Sequence, residues 1–416
     1  MERLQGRSRD YAWGSDGVIP QLFGYPPAEG PVAEVWLGAH PDDPARVGCD
    51  EHAPLFDVAQ LYPSDAAASS ETAPLATLED FVAADPEAVL GEEIMYRHGK
   101  QLPYLLKLIA PAEPLSLQVH PSLEQAREGF AAEEAAGIPR TAPHRNYRDC
   151  NHKPELAYAL TRFEALVGFR APRRIAAVVR DLRTPLTDEL RHIVLKEGVR
   201  SAFRFLLSPQ TRPSEERVAE VIEACGRRKQ QDSPSWRADA AVQTLGARYP
   251  GDPGVVASLL MNPVTLQPGE ALFIPDGTVH AYQSGVAVEI MAASDNVLRA
   301  GLTAKYIDVT ELLRIVRADA APPVRIAPEW NSPTTSTFYA PVDDFELSVV
   351  RLRDANAWVK QPGVGPRTVV CLEGAVQLEA GGEFLAMNAG QAVFVPASDG
   401  PLSVRGFGKL VMAGVP

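Results

Sequence analysis

The chain is poor in cysteine and has no long apolar run. Its 416 residues include four scattered cysteines and no CxxC pair, which argues against a disulfide framework and a cysteine zinc cluster. No segment approaches the ~20 continuous apolar residues of a membrane-spanning helix. The first residues also lack the apolar run of a secretory signal. We therefore expect a cytoplasmic protein that has no membrane partner.

Positive charge is also in short supply. The chain has 40 Lys and Arg against 53 Asp and Glu, a formal net charge of −13. A negatively charged protein is repelled by nucleic-acid backbones and by anionic lipid, so neither is an expected partner. A small anionic substrate is not excluded, because a few cations can dominate the potential inside a pocket.

Two kinds of sequence pattern divide the chain. Helix formers dominate residues 171–250, where Val218, Val221, Ile222 and Cys225 have the i, i+3, i+4, i+7 spacing of one helical face. From residue 256 onward, short apolar runs separated by Gly, Pro and Asp predict the strands of a sandwich or jelly roll. These runs are ASLLM, EALFIP, VAVEIM, FELSVVRL, RTVVCLEG, AVQLEA, QAVFVP and KLVMAG.

The first 170 residues predict strands mixed with short helices. VAEVWLGAH and LPYLLKLIA are typical of strands, and TLEDFVAADPEAVLGEE predicts two short helices broken at Pro86. Ser122 and Gln125 predict a capping box before a helix. Residues 51–78 predict a loop excursion. A distant echo, PGEALFIPDGTVHAY and AGQAVFVPASDGPLSV, suits two copies of one β-domain, and only the first copy has a histidine after its strand.

Two of the eight histidines and one glutamate suggest a metal site. The alternation in PLSLQVHPS places Ser116, Gln118 and His120 on one face of a strand. His280 follows the strand ALFIP and a glycine turn, and Glu155 begins the strand ELAYAL. Two histidines and a carboxylate at strand ends fit zinc or non-haem iron. Gln118 would not be chosen as a ligand from its chemistry alone.

Four cations lie near these residues in the sequence. Lys107 interrupts an apolar strand, Lys153 is next to His152, and Arg299 and Lys305 lie in SDNVLRAGLTAKYIDV. A lysine in an apolar strand is costly unless it is paired or reaches solvent. If the four cations converge on one pocket, they suit a phosphate group. The structural alternative is an edge-strand lysine and ordinary surface charge.

Four ordered segments carry a family resemblance. PLSLQVHPS, YRDCNHKPEL, GEALFIPDGTVHAY and ASDNVLRAGLTAKYIDV resemble the type I phosphomannose isomerases, zinc-dependent enzymes of the cupin superfamily. The resemblance implies a mainly β monomer with two cupin-type jelly-roll β-domains and an α-helical insertion. The implied domains are a catalytic, zinc-binding cupin β-domain, a helical insertion and a degenerate cupin β-domain without metal, at residues 1–170 with 251–320, 171–250 and 321–416, respectively.

The same resemblance implies a role for each site residue. One Zn²⁺ per chain would be bound by four ligands, Gln118, His120, Glu155 and His280. The implied catalytic residues are Arg299, Lys153, His152 and Asp295, with the last two as a pair that opens the sugar ring. The implied substrate-binding residues are Ser116, Lys107 and Lys305. The chain departs from the family pattern at Ser122 and Leu123, and again at Ala304, where the family often has Asp-Lys and Pro.

The implied reaction is the interconversion of mannose 6-phosphate and fructose 6-phosphate through an enediol, which feeds mannose and GDP-mannose metabolism. His120, Glu155 and His280 are also the 2-His-1-carboxylate set of Fe(II) oxygenases. A non-catalytic sugar-phosphate-binding protein is a further alternative, since it would keep the phosphate residues. The four cations favour the isomerase over the oxygenase, because an oxygenase needs no phosphate clamp.

Overall fold

The computed structural model describes residues 1–63, 75–230 and 233–416. Part of the predicted loop excursion at 51–78 therefore lies outside the described residues. In the described part of the chain, no helix has both the length and the apolar character needed to cross a membrane.

Strands are spread along the chain and helices are concentrated between residues 172 and 257. The strands are β1 (Glu2–Gln5), β2 (Arg7–Arg9), β3 (Glu34–Leu37), β4 (Arg46–Val47), β5 (Tyr104–Ile109), β6 (Gln118–Val119), β7 (Glu155–Ala159), β8 (Phe163–Phe169), β9 (Met261–Leu266), β10 (Ala271–Ile274), β11 (His280–Ser284), β12 (Ala287–Ala292), β13 (Leu298–Arg299), β14 (Val324–Ile326), β15 (Glu329–Trp330), β16 (Thr335–Tyr339), β17 (Glu346–Lys360), β18 (Arg367–Ala380), β19 (Glu383–Asn388), β20 (Gln391–Val395) and β21 (Ser403–Gly414). The α-helices are α1 (Val18–Leu22), α2 (Val58–Leu61), α3 (Leu78–Ala84), α4 (Pro86–Leu90), α5 (Glu92–His98), α6 (Leu123–Ala135), α7 (Pro172–Arg180), α8 (Pro185–Glu197), α9 (Val199–Leu207), α10 (Glu215–Lys229), α11 (Trp236–Arg248), α12 (Pro253–Ala257) and α13 (Val309–Ile315).

The strands of the described ranges form three antiparallel sheets. The seven-stranded sheet has the order β14-β10-β7-β12-β5-β3-β2, and the five-stranded sheet has the order β13-β6-β11-β8-β9. An apolar layer that includes Ile109, Phe163 and Leu266 packs these two sheets face to face. The nine-stranded sheet follows β15-β16-β17-β21-β18-β20-β1-β4, with β19 paired to β18. This confirms the predicted mainly β class with a helical insertion.

Alternation along β5 gives the seven-stranded sheet two different faces. Tyr104, Leu106 and Leu108 lie in the core that this sheet shares with the nine-stranded sheet. Ile109 packs in the layer between the seven- and five-stranded sheets, so Lys107, two residues away, points to that inner side. The inner face is therefore apolar at one end of the strands and polar at the other, where the candidate site lies.

The predicted helices cover the outer face of the five-stranded sheet. Helices α7–α11 share a core with Leu117, Val119 and Leu166 of that sheet region. Val218, Val221 and Cys225 are buried in this core, as their helical spacing predicts. The capping box of Ser122 and Gln125 is also formed, and α6 begins directly after it.

Two predictions of local structure are wrong. ASLLM is not a strand: α12 and a 3₁₀ turn at Ser258–Leu260 precede β9, and Asp252 caps α12 by accepting a hydrogen bond from the Gly254 N–H. RTVVCLEG and AVQLEA are not separate strands, because β18 runs through both. Gly374, at φ 78°, lies beside a register shift that lets β18 continue along β21.

The N-terminal strand belongs to a different sheet from most of the first 170 residues. β1 pairs with β20, with Leu4 opposite Ala392, and β4 pairs with β1. The two echo segments form β10 and β20, in the seven-stranded and nine-stranded sheets. We propose that the chain has the three domains expected from the sequence, except that β1 and β4 complete the sheet of the second β-domain.

Candidate active site

Three predicted ligands meet at the polar end of the inner face. Glu155 begins β7, His280 begins β11 and His120 follows β6. His120 Nε2 is 3.1 Å from Glu155 Oε1, and His280 Nε2 is 3.3 Å from Glu155 Oε2. Their candidate ligand atoms all lie within 4.8 Å of one another, and all three residues are buried. The cluster therefore has the composition and spacing of a small cation site.

Both imidazoles are oriented by main-chain oxygens. His120 Nδ1 donates to the Asn296 carbonyl at 2.7 Å, and His280 Nδ1 donates to the Thr278 carbonyl at 3.0 Å. Each Nε2 is then free to bind a metal, the arrangement typical of histidine ligands. His120 Nε2 is buried without a hydrogen-bond partner, which is costly unless another group occupies the site. The donors thus fit a metal ion.

The protonation of the cluster also suits a metal. Burial alone would raise the pKa of Glu155, but the neighbouring imidazoles of His120 and His280 hold it well below its usual range. Burial lowers the pKa of His120. Metal ligands must be ionised carboxylates and neutral imidazoles, so both directions favour binding. Tyr282, which the sequence reasoning missed, donates to Glu155 Oε2 at 3.3 Å.

Gln118 lies across the sheet from two other site residues. It is opposite His280 on one neighbouring strand and opposite Arg299 on the other. Residues directly opposite in antiparallel strands place their side chains on the same face. The Gln118 amide nitrogen donates to Ser116 Oγ at 3.5 Å, so the carbonyl oxygen is the amide atom that can bind a cation.

Lys107 is held in a buried ion-pair cluster. Its Nζ is 3.4 Å from Glu34 Oε2 and 3.6 Å from Glu289 Oε2, and the residue is 4% exposed. Burial, and then the charge of Glu155, raises the pKa of Glu289 to about 7. Sequence reasoning missed both partners of Lys107. The available signal was a carboxylate at the start of the apolar strand EVWL and another inside the apolar strand AVEIMA.

Three cations gather at the mouth of the site. Arg148 Nη1 is 2.8 Å from Asp295 Oδ2, and about half of the Arg148 side chain is exposed. Burial, and then the charge of Arg148, lowers the pKa of Arg299. Burial, followed by the charges of Arg299 and Arg148, lowers the pKa of Lys305. Because the like charges of this group lower the pKa of Arg299 and of Lys305, binding of an anion between them would be favourable. The sequence analysis did not identify Arg148, although this residue lies in the segment YRDCNHKPEL.

Lys153 and His152 are neighbours in the chain with different surroundings. Lys153 is buried, and its Nζ lies 3.7 Å from Glu155 Oε1. His152 Nε2 lies 3.0 Å from Asp344 Oδ2, and its Nδ1 lies 3.7 Å from Asp276 Oδ2. The expected pair of His152 with Asp295 is not formed among the described side chains, because each has other partners.

Comparison with known proteins identifies two family matches. Residues 1–172 match the phosphomannose isomerase type I catalytic domain, and residues 334–415 match the mannose-6-phosphate isomerase cupin domain. The mannose-6-phosphate isomerase of Escherichia coli K12 is 36% identical over 421 residues, which cover 99% of this chain and 98% of that protein. Mannose-6-phosphate isomerase 1 of Arabidopsis thaliana is 29% identical and covers 100% of this chain and 94% of its own.

Solved structures agree with these matches. A mannose 6-phosphate isomerase bound with zinc and yttrium superposes with a TM-score of 0.84 at 33% identity, covering 100% of this chain and 99% of its own. The apo form from Salmonella typhimurium gives the same TM-score, identity and coverage. The likeness spans the whole fold, and the chain belongs to the type I phosphomannose isomerase family.

Proposed function

We propose that this chain is a zinc-dependent aldose–ketose isomerase that interconverts mannose 6-phosphate and fructose 6-phosphate. The observation that carries the proposal is the buried His120, Glu155 and His280 cluster beside a group of cations. This substrate needs both features, because its carbonyl end reacts and its other end is a phosphate. Family membership supports the same reaction.

Zinc is the proposed metal, with one ion per chain. Its proposed ligands are Gln118, His120, Glu155 and His280. Imidazole nitrogens with carboxylate and amide oxygens are hard-to-borderline donors that suit zinc, and a related structure contains zinc. Bound there, the ion would supply Lewis-acid polarisation of the sugar oxygens.

Lys153 is the proposed proton-transfer residue. Its Nζ lies 3.7 Å from Glu155 Oε1, so this nitrogen, acting as a base in its neutral amine form, would be close to the end of the pocket where C1 and C2 of the sugar would lie. The proposed reaction removes the proton from C2 and returns a proton to C1, with an enediol between the two steps. A general base must lie within hydrogen-bond reach of the proton that it removes, and this position is compatible with that requirement.

Arg299 and Asp295 complete the proposed catalytic set. Arg299 lies opposite Gln118 in the sheet, so its guanidinium is proposed to stabilise negative charge on the sugar O1 and O2. Asp295 Oδ2 accepts a hydrogen bond from Arg148 Nη1 at 2.8 Å, and the Asp295 backbone N–H donates to Asp149 Oδ2 at 2.8 Å. We propose that Asp295 positions the neighbouring cations.

The phosphate is proposed to bind at the mouth of the pocket. Arg148 and Lys305 are the proposed cationic contacts, and Ser116 is a proposed neutral donor. Guanidinium groups match the geometry of phosphate oxygens, and net positive charge at the mouth attracts the dianion. We propose that Lys107 lines the substrate site without binding the phosphate, because two carboxylates already balance its charge.

The cellular part of the proposal rests on the family alone. We propose a cytoplasmic monomer whose mannose 6-phosphate supplies GDP-mannose synthesis. Cell fractionation and analytical ultracentrifugation test the location and the monomeric state.

One experiment tests the function and the metal together. The purified enzyme is analysed for metals and assayed for conversion of mannose 6-phosphate to fructose 6-phosphate, before and after chelation and with zinc or Fe(II) restored. We expect one zinc per chain and activity that returns with zinc. Active enzyme without a divalent metal would show the ligand assignment to be wrong. Fe(II)-dependent oxygen consumption without isomerisation would favour the oxygenase alternative.

A further inference from the structure

His152 lies between carboxylates from two separate parts of the fold. Asp276 belongs to the turn between β10 and β11, and Asp344 belongs to the turn before β17 in the second β-domain. The imidazole is 3.7 Å from the first carboxylate and 3.0 Å from the second. Asp344 is 6% exposed, so this contact is largely shielded from water. A residue of one β-domain is therefore held by a carboxylate of the other.

The segments joined at His152 lead directly to the proposed metal ligands. His152 is three residues before Glu155, and Asp276 is four residues before His280. In the same turn as Asp276, the Gly277 N–H donates to the His120 carbonyl at 2.8 Å. The turn between β10 and β11 is thus hydrogen-bonded to His120 and leads into His280. Through the contact of Asp276 with His152, it also lies against the segment that leads into Glu155.

We propose that Asp344 is a positioning residue for the metal centre: it holds the His152 imidazole against Asp276 and so fixes the turn before His280 onto the segment before Glu155. The proposal rests on the proposed metal ligands. It gives the second β-domain, which supplies none of those ligands, a direct part in the catalytic site.

Electrostatics supports this arrangement. A neutral imidazole donates one hydrogen bond, whereas a protonated imidazole donates two and can satisfy both carboxylates. Burial would lower the pKa of His152, but the carboxylates of Asp276 and Asp344 raise it to about 9. Among the described residues, the carboxylates of Asp276 and Asp344 are the ones that form ion pairs with the ring, and the neighbouring Lys153 directs its Nζ to Glu155.

The test compares Asp344→Asn with Asp343→Asn in full-length, zinc-loaded protein. Asp343 is the preceding residue and is exposed, so its substitution removes the same charge from the same turn without touching His152. We measure zinc affinity by chelator competition and the pH profile of kcat/KM. Partners behind a metal ligand typically change affinity by 10–100-fold, so we expect about 10-fold weaker zinc binding for Asp344→Asn. The alkaline limb of its profile should move to lower pH, and Asp344→Glu should restore part of both effects.

Equal zinc affinity and equal pH profiles for the two asparagine variants would overturn the proposal. If Asp344→Asn does not fold, an NMR titration of the His152 ring in the zinc-loaded wild type decides: a midpoint near pH 9 supports the proposal, and the ordinary value near 6.5 overturns it. A zinc-containing, active wild type with no Asp344 effect removes this inference alone. A wild type without zinc or isomerase activity removes the proposed function instead.

Discussion

Charged residues in the pocket differ in how far other charges already balance them. Two buried carboxylates flank Lys107, and Arg148 has one partner in Asp295. Arg299 makes no ion pair within the described residues, although it is only partly exposed. A partly buried, unpaired guanidinium is the cation most free to meet charge that appears during a reaction.

Substitution of Arg299 should therefore lower turnover. Loss of a group that acts on transition-state charge reduces kcat and kcat/KM together, and we expect Arg299→Ala to cost about 10²–10³-fold in kcat. Arg148→Ala is the matched control, because it should mainly raise KM for mannose 6-phosphate. Steady-state kinetics distinguish the two. Near-normal kcat with only a raised KM in Arg299→Ala would assign that residue to phosphate binding.

Lys153 has two conceivable roles that kinetics can separate. As the proton-transfer residue, its replacement in Lys153→Met should lower kcat by roughly 10²–10⁴-fold while zinc content is unchanged. As a phosphate anchor, it would mainly raise KM, the result that we expect for Lys305→Met. A Lys153→Met enzyme that isomerises mannose 6-phosphate at the normal kcat would rule out the proton role.

At the scale of elements, strand ends and irregularities decide where side chains meet. The proposed ligands begin or follow short strands, so their backbone is held on one side by a ladder and is free to turn on the other. In β18, by contrast, an irregularity does not end the strand: the register shift beside Gly374 lets the long strand continue. A side chain there would place its Cβ 2.0 Å from the Phe407 carbonyl oxygen.

Gly374→Ala should destabilise the second β-domain more than an ordinary glycine substitution does. The residue has φ 78°, where an L side chain is strained by about 1–3 kcal/mol, and the clash with backbone adds to that. Gly382→Ala is the matched control, since Gly382 has φ 80° but open space around its Cβ position. Equal losses of unfolding free energy in denaturant titrations would show that close packing at Gly374 is unimportant.

At the scale of the whole molecule, large apolar cores pack sheet on sheet and helix on sheet, so the fold does not depend on the metal ligands alone. Chelation should therefore abolish activity while far-UV circular dichroism changes little. The melting temperature should fall, because free zinc at a hundred times its Kd stabilises the folded state by about 3 kcal/mol. Global unfolding on chelation would contradict this prediction.

The contact between the two β-domains should depend on pH. The folded-state pKa of His152 is raised to about 9, above its ordinary value of 6.5. Between these two pH values the native state therefore binds more protons than the unfolded state. The stability that this contributes is complete below about pH 6.5 and is lost as pH rises through 9. Asp344→Asn should therefore be less stable than wild type at pH 6 and nearly equal at pH 10 in denaturant titrations. A constant difference across this range would argue against a protonated His152.

Several features could be predicted from the sequence because they are local. The capping box before α6, the buried face of α10 and the strand β5 follow from spacings of two to seven residues. The candidate ligands could be proposed because His120 and His280 each follow a strand signal and the surrounding segments resemble a family. Short apolar runs such as ASLLM were ambiguous, since helices and strands both bury them.

The partners of these residues were decided only by tertiary structure. Arg148 reaches Asp295, His152 reaches Asp344, and Lys107 meets Glu34 and Glu289, each across separations of more than 70 residues. Likewise β1 joins β20 at the far end of the chain. Sequence periodicity reports which side of an element is apolar, but pairing between distant elements depends on how the sheets stack. The sequence alone therefore determined the residue types at the site, and the packing of the three sheets determined which charges face one another.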